Sequence, residues 1–232
     1  MTFFSIILAR GGSKGIPNKN IIDLQGAPLI SYSISASLNS MCDETWVSTD
    51  SEEIKKTSES FGANVLDRPE EFATDTATSE SALIHFCENV ICDYIVFIQP
   101  TSPLLTSDDI NQGINLIKSS DCDSVISCYE EEWCGRWTHQ PRWGTLQPIF
   151  RPTNYTTGSS SNNFAPQRRR RQDVEYPTYI ENGAFYISKR QDIIDNKNRF
   201  SGIVDKVIMP FHRSFQIDTP EDLDLVKKLL IY

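Results

Sequence analysis

The feature that most constrains the fold is a short apolar run that ends directly in a basic, glycine-rich segment. The run is FFSIIL at residues 3–8, and the segment after it is ARGGSKGIPNKN at residues 9–20. A continuous apolar run of this length is typical of a strand buried on both faces of a parallel sheet. Glycines at the carboxyl end of such a strand let backbone amides approach a ligand, because no Cβ lies in the way. The pattern predicts an α/β fold with an anion site after its first strand.

Further strand and helix patterns alternate along the chain. Apolar runs predict strands at Trp46–Ser48, Tyr94–Ile98 and Ser124–Ser127. Helices are predicted after Asp50-x-x-Glu53, around Ala82–Val90, after Thr106-x-x-Asp109 and after Thr219, which is a suitable N-cap for a helix with Pro220 in its first turn. This alternation predicts a mostly parallel sheet flanked by helices.

The alternation fails between Trp133 and Pro177. Trp, Pro, Gly, Ser, Asn and Arg dominate there, which predicts a mobile loop or lid inside a single domain of residues 1–232. The aromatic residues of this region are too many for a small mobile lid to hide alone, so we expect a homodimer. They are Trp133, Trp137, Trp143, Tyr155 and Phe164.

Composition limits the partners and the compartment. The 232 residues carry a formal net charge of -9, which repels nucleic acid and anionic membrane, so a phosphate-bearing partner needs a local basic patch. The six cysteines include no CxxC pair, which argues against a zinc site and favours reduced thiols. Phe3–Ala9 has no basic region before it and is expected to be neither signal peptide nor membrane span. We therefore expect a cytoplasmic protein without a nucleic-acid or membrane partner.

Three cations in the glycine-rich segment suit a triphosphate. They are Arg10, Lys14 and Lys19. Their spacing matches neither GxxxxGK[ST] nor GxGxxG, which disfavours a P-loop NTPase or a dinucleotide-binding protein. The alternative is a glycine-rich surface turn with solvated lysines.

Several ordered motifs resemble those of the acylneuraminate cytidylyltransferase family, the CMP-sialic acid synthetases. Besides the glycine-rich segment they are Arg68-Pro69-x-x-x-Ala73-x-Asp75-x-Ala77-x-Ser79, Ile98-Gln99-Pro100-Thr101-Ser102-Pro103-Leu104, Arg171-Gln172-Asp173, Asn182-Gly183-Ala184-x-Tyr186 and Ile217-Asp218-Thr219-Pro220-x-Asp222-Leu223. The resemblance implies a Rossmann-like nucleotidyltransferase fold, a homodimer, CTP and a divalent metal. It also implies transfer of CMP to the anomeric hydroxyl of a nonulosonic acid of the sialic, legionaminic or pseudaminic type.

The resemblance assigns the nucleotide side of the site. It implies that Arg10 and Lys14 bind the phosphates, that Lys19 contacts the transferring or leaving phosphate, and that Asn20 contacts the cytidine half. The other implied nucleotide contacts are the loop residues Gly11, Gly12 and Ser13, and Arg68 and Ser79 near the base and ribose. Two alternatives stay open: Arg68 in a surface ion pair, and Asp75 as a helix cap.

The resemblance also assigns the sugar side. It implies that Gln99 binds sugar hydroxyls, that Arg171 binds the sugar carboxylate, and that Tyr186 lies near the pocket; Arg170 is the alternative to Arg171. The alternatives are a proline-shaped turn at Gln99, whose neighbouring hydroxyls satisfy backbone groups, and a core tyrosine. The run Arg168–Arg171 does not indicate nucleic-acid binding, since the rest of the chain is acidic.

The expected metal site departs from the family pattern. Where the family commonly carries two aspartates separated by one residue, this chain has Gln216-Ile217-Asp218. Mg²⁺ often needs only one or two carboxylates beside substrate phosphates, so Asp218 can suffice, with Gln216 assisting through its carbonyl oxygen or a bound water. The alternative is that Asp218 only caps the last helix.

Two other functions remain as alternatives. One is a sugar-1-phosphate nucleotidyltransferase, which has a different glycine-rich loop and uses a phosphate nucleophile. The other is a non-catalytic homologue that binds nucleotide, which the missing second aspartate suggests.

Overall fold

A computed structural model describes residues 1–131 and 178–231, and the backbone of four short strands between these ranges. The chain divides into two compact units. The first combines Met1–Tyr129 with Glu181–Tyr232, and the second is Glu130–Ile180.

Thirteen strands are found in the described residues. In chain order they are β1 Phe3–Leu8, β2 Asp23–Leu24, β3 Ala27–Pro28, β4 Glu44–Thr49, β5 Asn64–Asp67, β6 Tyr94–Ile98, β7 Ser124–Glu131, β8 Trp137–Gln140, β9 Thr145–Pro148, β10 Tyr155–Thr156, β11 Gln167–Arg168, β12 Thr178–Lys189 and β13 Val204–Ile208. Seven of them form one sheet in the order β13-β7-β12-β6-β1-β4-β5. β1 is parallel to β4 and β6, whereas β12 is antiparallel to β6. The predicted mostly parallel sheet is confirmed.

Six helices accompany the strands in the described residues. They are α1 Leu29–Leu38, α2 Glu52–Ser60, α3 Ser79–Asn89, α4 Ser107–Ser119, α5 Arg190–Asn196 and α6 Pro220–Leu229. Among the helices that the structure describes, none has the length and apolar character needed to cross a bilayer.

The core lies on both faces of the sheet. On one face, Ile7 of β1 and Val96 of β6 pack with α1 and α4. On the other face, their sequence neighbours Ile6 and Phe97 pack with α3. This division follows from the period of two along a strand, and it explains why these strands are continuously apolar.

A third apolar cluster joins the glycine-rich loop to the last helix. Ile16 in the loop and Ile217 before α6 are buried with Leu223 and Val226 of α6. These contacts hold the loop after β1 against the segment that carries Asp218.

The predicted helix caps are confirmed at two of three helices. The Thr106 and Thr219 side chains accept hydrogen bonds at the starts of α4 and α6, each within a capping box. At α2 the prediction was one residue early, because Ser51 is the N-cap and accepts from the Ile54 amide. The carboxylate of Asp50 instead accepts from the Gly11 amide at 2.8 Å.

Helix α1 was not predicted, since its sequence LISYSISASL is rich in serine. Ser37 of this helix is fully buried. Its hydroxyl lies 2.6 Å from that of Ser5 in β1 and 2.7 Å from that of Thr45 in β4. A serine-rich helix is tolerated in the core because the sheet supplies partners for the hydroxyl.

The motif residues Asn182 and Gly183 lie inside a strand and change its local course. Both residues lie within β12, and Gly183 has φ +70. A positive φ costs glycine little, so the strand deviates locally there without ending.

The segment predicted as a mobile loop or lid falls mostly outside the described residues. Where its backbone is described, β8 pairs antiparallel with β9, and β10 with β11. The side chains of its tryptophans lie outside the described residues.

Candidate active site

A cavity of about 400 Å³ lies where the chain leaves β1 and β6. Nine residues predicted for the site line it: Arg10, Ser13, Lys14, Lys19, Asn20, Ser79, Gln99, Gln216 and Asp218. The sequence motifs therefore converge on one place, at the carboxyl edge of the sheet where open α/β folds bind ligands.

The glycine-rich loop is held by its own side chains. Asn20 is buried, and its amide Nδ2 donates to the Arg10 carbonyl at 3.0 Å. At Gly15 an added Cβ would lie 2.6 Å from the carbonyl oxygen of Asp218. The loop can approach the Asp218 backbone this closely only because Gly15 has no side chain.

Asp75 pairs with two of the three loop cations. Its carboxylate lies 2.8 Å from Lys14 Nζ and 3.3 Å from Arg10 Nη1. The hydrogen bond from Lys14 and the charge of Arg10 hold the pKa of Asp75 below its usual value. Asp75 does not cap α3, whose N-cap is Thr78.

The third cation, Lys19, pairs with Asp218. Lys19 Nζ lies 2.8 Å from Asp218 Oδ1; 16% of the Lys19 side chain and 63% of the Asp218 side chain are exposed. Asp218 is not the cap of α6, because Thr219 and Asp222 form that capping box. Hydrogen bonds from the amides of Thr219 and Asp218 lower the pKa of Asp222. The Asp218 carboxylate is therefore open to the cavity beside a lysine.

Gly11 and Gly12 do not line the cavity. The Gly11 amide donates to Asp50, whereas an added Cβ at Gly12 would meet nothing within 4 Å. The structure thus gives Gly11 a partner within the protein.

Arg68 also lies outside the cavity lining, and it is buried rather than part of a surface ion pair. Its Nε donates to Ser48 Oγ at 3.0 Å, and its Nη2 donates to the Ser48 carbonyl. Burial lowers the pKa of the Arg68 guanidinium to about 10, so the group stays charged at neutral pH. These two hydrogen bonds fix the Arg68 side chain against the end of β4.

Of the residues that the sequence assigned to a sugar, Gln99 lines the cavity and Tyr186 lies behind the lining. The Tyr186 ring stacks on Phe97, with centroids 5.7 Å apart, and Phe97 itself lines the cavity. The Tyr186 hydroxyl donates to Glu181, and burial together with this hydrogen bond raises the pKa of Tyr186. Arg171 and its alternative Arg170 lie outside the described residues.

Some lining residues were not assigned from the sequence. They are Leu8, Gly15, Phe97, Pro100 and Thr101. All five belong to the strand ends and motifs quoted above, so position alone would have found them. The hydroxyls of Thr101 and Ser102 are buried without a partner in the described structure, so they do not satisfy backbone groups as the alternative for this turn required.

The donor set suits a magnesium ion that arrives with a substrate. The described residues contain no cluster of three or more His, Cys, Asp or Glu side chains able to hold a metal alone. The Asp218 carboxylate and the Gln216 amide line the cavity. Mg²⁺ prefers hard oxygen ligands and takes the rest from phosphates and water, so this sparse set fits.

Comparison with protein families gives one match over nearly the whole chain. Residues 4–230 match the family model described as cytidylyltransferase.

Curated relatives are similar along nearly the whole chain. N-acylneuraminate cytidylyltransferase B of Danio rerio is 36% identical over 95% of this chain and 49% of its own length. N-acylneuraminate cytidylyltransferase of Escherichia coli is 34% identical over 95% of this chain and 50% of its own length. CMP-N,N'-diacetyllegionaminic acid synthase of Legionella pneumophila is 32% identical over 99% and 97% of the two chains. The chain spans about half the length of the first two relatives.

Solved structures share the fold. CMP:2-keto-3-deoxy-manno-octonic acid synthetase, solved in complex with CTP, aligns with TM-score 0.68 at 18% identity over 100% and 99% of the two chains. The 4-diphosphocytidyl-2C-methyl-D-erythritol synthase of Anaerococcus prevotii aligns with TM-score 0.70 at 14% identity over 100% and 96%. At these identities the likeness concerns the fold.

The pairing of Asp75 with two cations predicts that this carboxylate competes with a bound anion. We expect Asp75→Asn to tighten binding of inorganic pyrophosphate by about threefold to fivefold at low salt, and by less at high salt, because Arg10 and Lys14 are released. Titration calorimetry measures the change. The control is Asp67→Asn, whose carboxylate pairs with Lys55 at 2.7 Å outside the cavity lining. Weaker binding in Asp75→Asn would mean that Asp75 orients the cations instead.

Proposed function

Because the chain belongs to the cytidylyltransferase family, we propose that it transfers CMP from CTP to the anomeric hydroxyl of a nonulosonic acid and releases pyrophosphate. The observation that carries this proposal is a cavity that brings Lys14, Lys19, Gln99 and Asp218 together. The names of the relatives support a sugar acid of the sialic or legionaminic type.

The cations account for the phosphate chemistry. The sugar hydroxyl attacks the α-phosphorus and gives up its proton to solvent. The bond from the α-phosphorus to the oxygen that bridges to the β-phosphorus breaks, and pyrophosphate leaves with the electron pair of that bond. Such transfers depend on in-line positioning and on positive charge at the transferring and leaving groups. Arg10 and Lys14 bind the phosphates, and Lys19 contacts the transferring or leaving phosphate. The cytidine half is contacted by Asn20 and Ser79, which line the cavity. Arg68 supports the same half from outside the lining.

The sugar acid takes the other half of the cavity. Gln99 supplies hydrogen bonds to sugar hydroxyls, and Tyr186 supports the pocket wall through Phe97, on which it stacks. Arg171, or Arg170 in its place, binds the carboxylate, since a guanidinium can hold a carboxylate with two parallel hydrogen bonds.

We propose Mg²⁺ as the metal, held by Asp218 with help from Gln216. When bound, Mg²⁺ neutralises charge on the phosphate oxygens. Lys19 already pairs with Asp218 at 2.8 Å. It can therefore exchange this carboxylate for a phosphate when the substrate enters.

A substrate panel tests the proposed reaction. With Mg²⁺ we expect CTP and at least one of sialic, legionaminic or pseudaminic acid to give a CMP-sugar, detected by mass, while ATP and GTP react poorly. Equal rates with all four nucleotides would contradict the cytidine assignment. Product from UTP and a sugar 1-phosphate would favour the other nucleotidyltransferase class, and no pyrophosphate from any pair would favour a non-catalytic homologue.

The metal assignment predicts that Asp218→Asn lowers kcat by at least about 100-fold, because Asp218 is the carboxylate among the described residues that line the cavity. The variant should also need more Mg²⁺ to bind CTP, which calorimetry without sugar measures. Asp224→Asn is the control, since Asp224 is exposed on α6 and does not line the cavity. Unchanged kinetics and Mg²⁺ dependence in Asp218→Asn would exclude this ligand.

We also propose a homodimer, supported by the aromatic residues between Trp133 and Pro177. Light scattering at micromolar concentration should give twice the mass of 26.3 kDa for one chain. The mass of a single chain would contradict it.

We propose that the protein resides in a reducing compartment such as the cytoplasm, where thiols stay reduced. Cys42, Cys87, Cys92, Cys122 and Cys128 are free cysteines.

A further inference from the structure

We propose that Gln216 is a positioning residue whose amide nitrogen fixes the Asp218 segment against β12. The inference deepens the proposed function, since it explains how the cavity keeps its shape with one carboxylate in place of two.

The contact is specific to an amide. Gln216 Nε2 donates to the Asn182 carbonyl at 2.8 Å. A carbonyl oxygen only accepts, so the amide must turn its nitrogen toward Asn182 and its oxygen away. An added Cβ at Gly183 would lie 2.5 Å from Gln216 Nε2. The glycine in β12 therefore makes room for this amide.

Further hydrogen bonds hold the segment that precedes Asp218. The Asn182 side chain, which is buried, donates from Nδ2 to Ser214 Oγ at 3.0 Å. Arg213 forms a forked ion pair with the buried Asp109 at the start of α4. The segment before Asp218 is thus tied to β12 and to α4 independently.

The same segment is also tied to the turn after β6. The Ile217 amide donates to the Thr101 carbonyl at 2.8 Å, and the Gln99 amide donates to the Ala184 carbonyl at 3.0 Å. Three segments therefore form a closed ring of contacts beside the cavity. Gln216 supplies the link between β12 and this segment that lies nearest in sequence to Asp218.

A carboxylate cannot replace this link. It has no hydrogen to donate, and its charge would face the lone pairs of the Asn182 carbonyl. Position 216 therefore has two possible uses that exclude each other: a second charged metal ligand or a donor to β12. The geometry points to the donor.

Two isosteric substitutions separate these uses. Gln216→Glu removes the donor and adds a charged ligand, whereas Gln216→Met removes both. If Gln216 positions Asp218, both variants lose about tenfold in kcat, the loss persists at saturating Mg²⁺, and KM for CTP changes by less than about twofold. Gln25→Met is the matched control. The exposed Gln25 amide also donates to a backbone carbonyl, because its Nε2 lies 3.0 Å from the Lys227 oxygen, but Gln25 does not line the cavity.

The proposal would be overturned if Gln216→Glu had a kcat at or above that of the wild type and required less Mg²⁺. It would also be overturned if excess Mg²⁺ restored the kcat of Gln216→Met to the wild-type value.

Hydrogen exchange gives a readout that needs no activity. The Ile217 amide and the Ala184 amide, which donates to Asn182 Oδ1 at 3.2 Å, should exchange faster in Gln216→Met than in wild type or Gln25→Met. Unchanged exchange would overturn the proposal. If the wild type makes no CMP-sugar, the proposed function fails while the exchange experiment still decides the role of Gln216.

Discussion

The site depends on the burial of a few apolar residues that lie among its polar ones. Ile16 within the basic loop and Ile217 beside Asp218 are buried with Val226 of α6. Burying a side chain of this size stabilises a fold by about 1.5–3 kcal/mol. Because Ile16 and Ile217 lie close in sequence to Lys19 and Asp218, fixing the two apolar side chains inside the protein leaves the two charged ones at the cavity. The charged groups are thus positioned by neighbours that take no part in the chemistry.

Electrostatics explains how an acidic protein can hold the proposed phosphate site. The net charge is -9, yet three cations gather at one loop and pair with Asp75 and Asp218. These carboxylates neutralise the cations while no ligand is bound, so an entering phosphate competes with Asp75 and Asp218 for the same donors. The protein thereby keeps a local cluster of positive charge without leaving it unpaired.

The sequence predicted features with a local cause and missed those set by distant contacts. β1 and β6 and the caps at Thr106 and Thr219 follow from local pattern. The cap of α2 was misplaced because Asp50 bonds to Gly11, 39 residues away. Most of the lining was predicted because it lies in motifs after strands. No local pattern shows that Gln216 bonds to Asn182, which lies 34 residues earlier in the chain.

The Ser37 hydroxyl of α1 bonds to the hydroxyls of Ser5 in β1 and Thr45 in β4. Changing Ser37 to an apolar residue removes these bonds from both other hydroxyls, which costs more than replacing all three by apolar residues of similar size. The stabilities contributed by these three positions are therefore coupled. Among relatives that keep this arrangement of α1 on the sheet, they should covary, either all polar or all apolar.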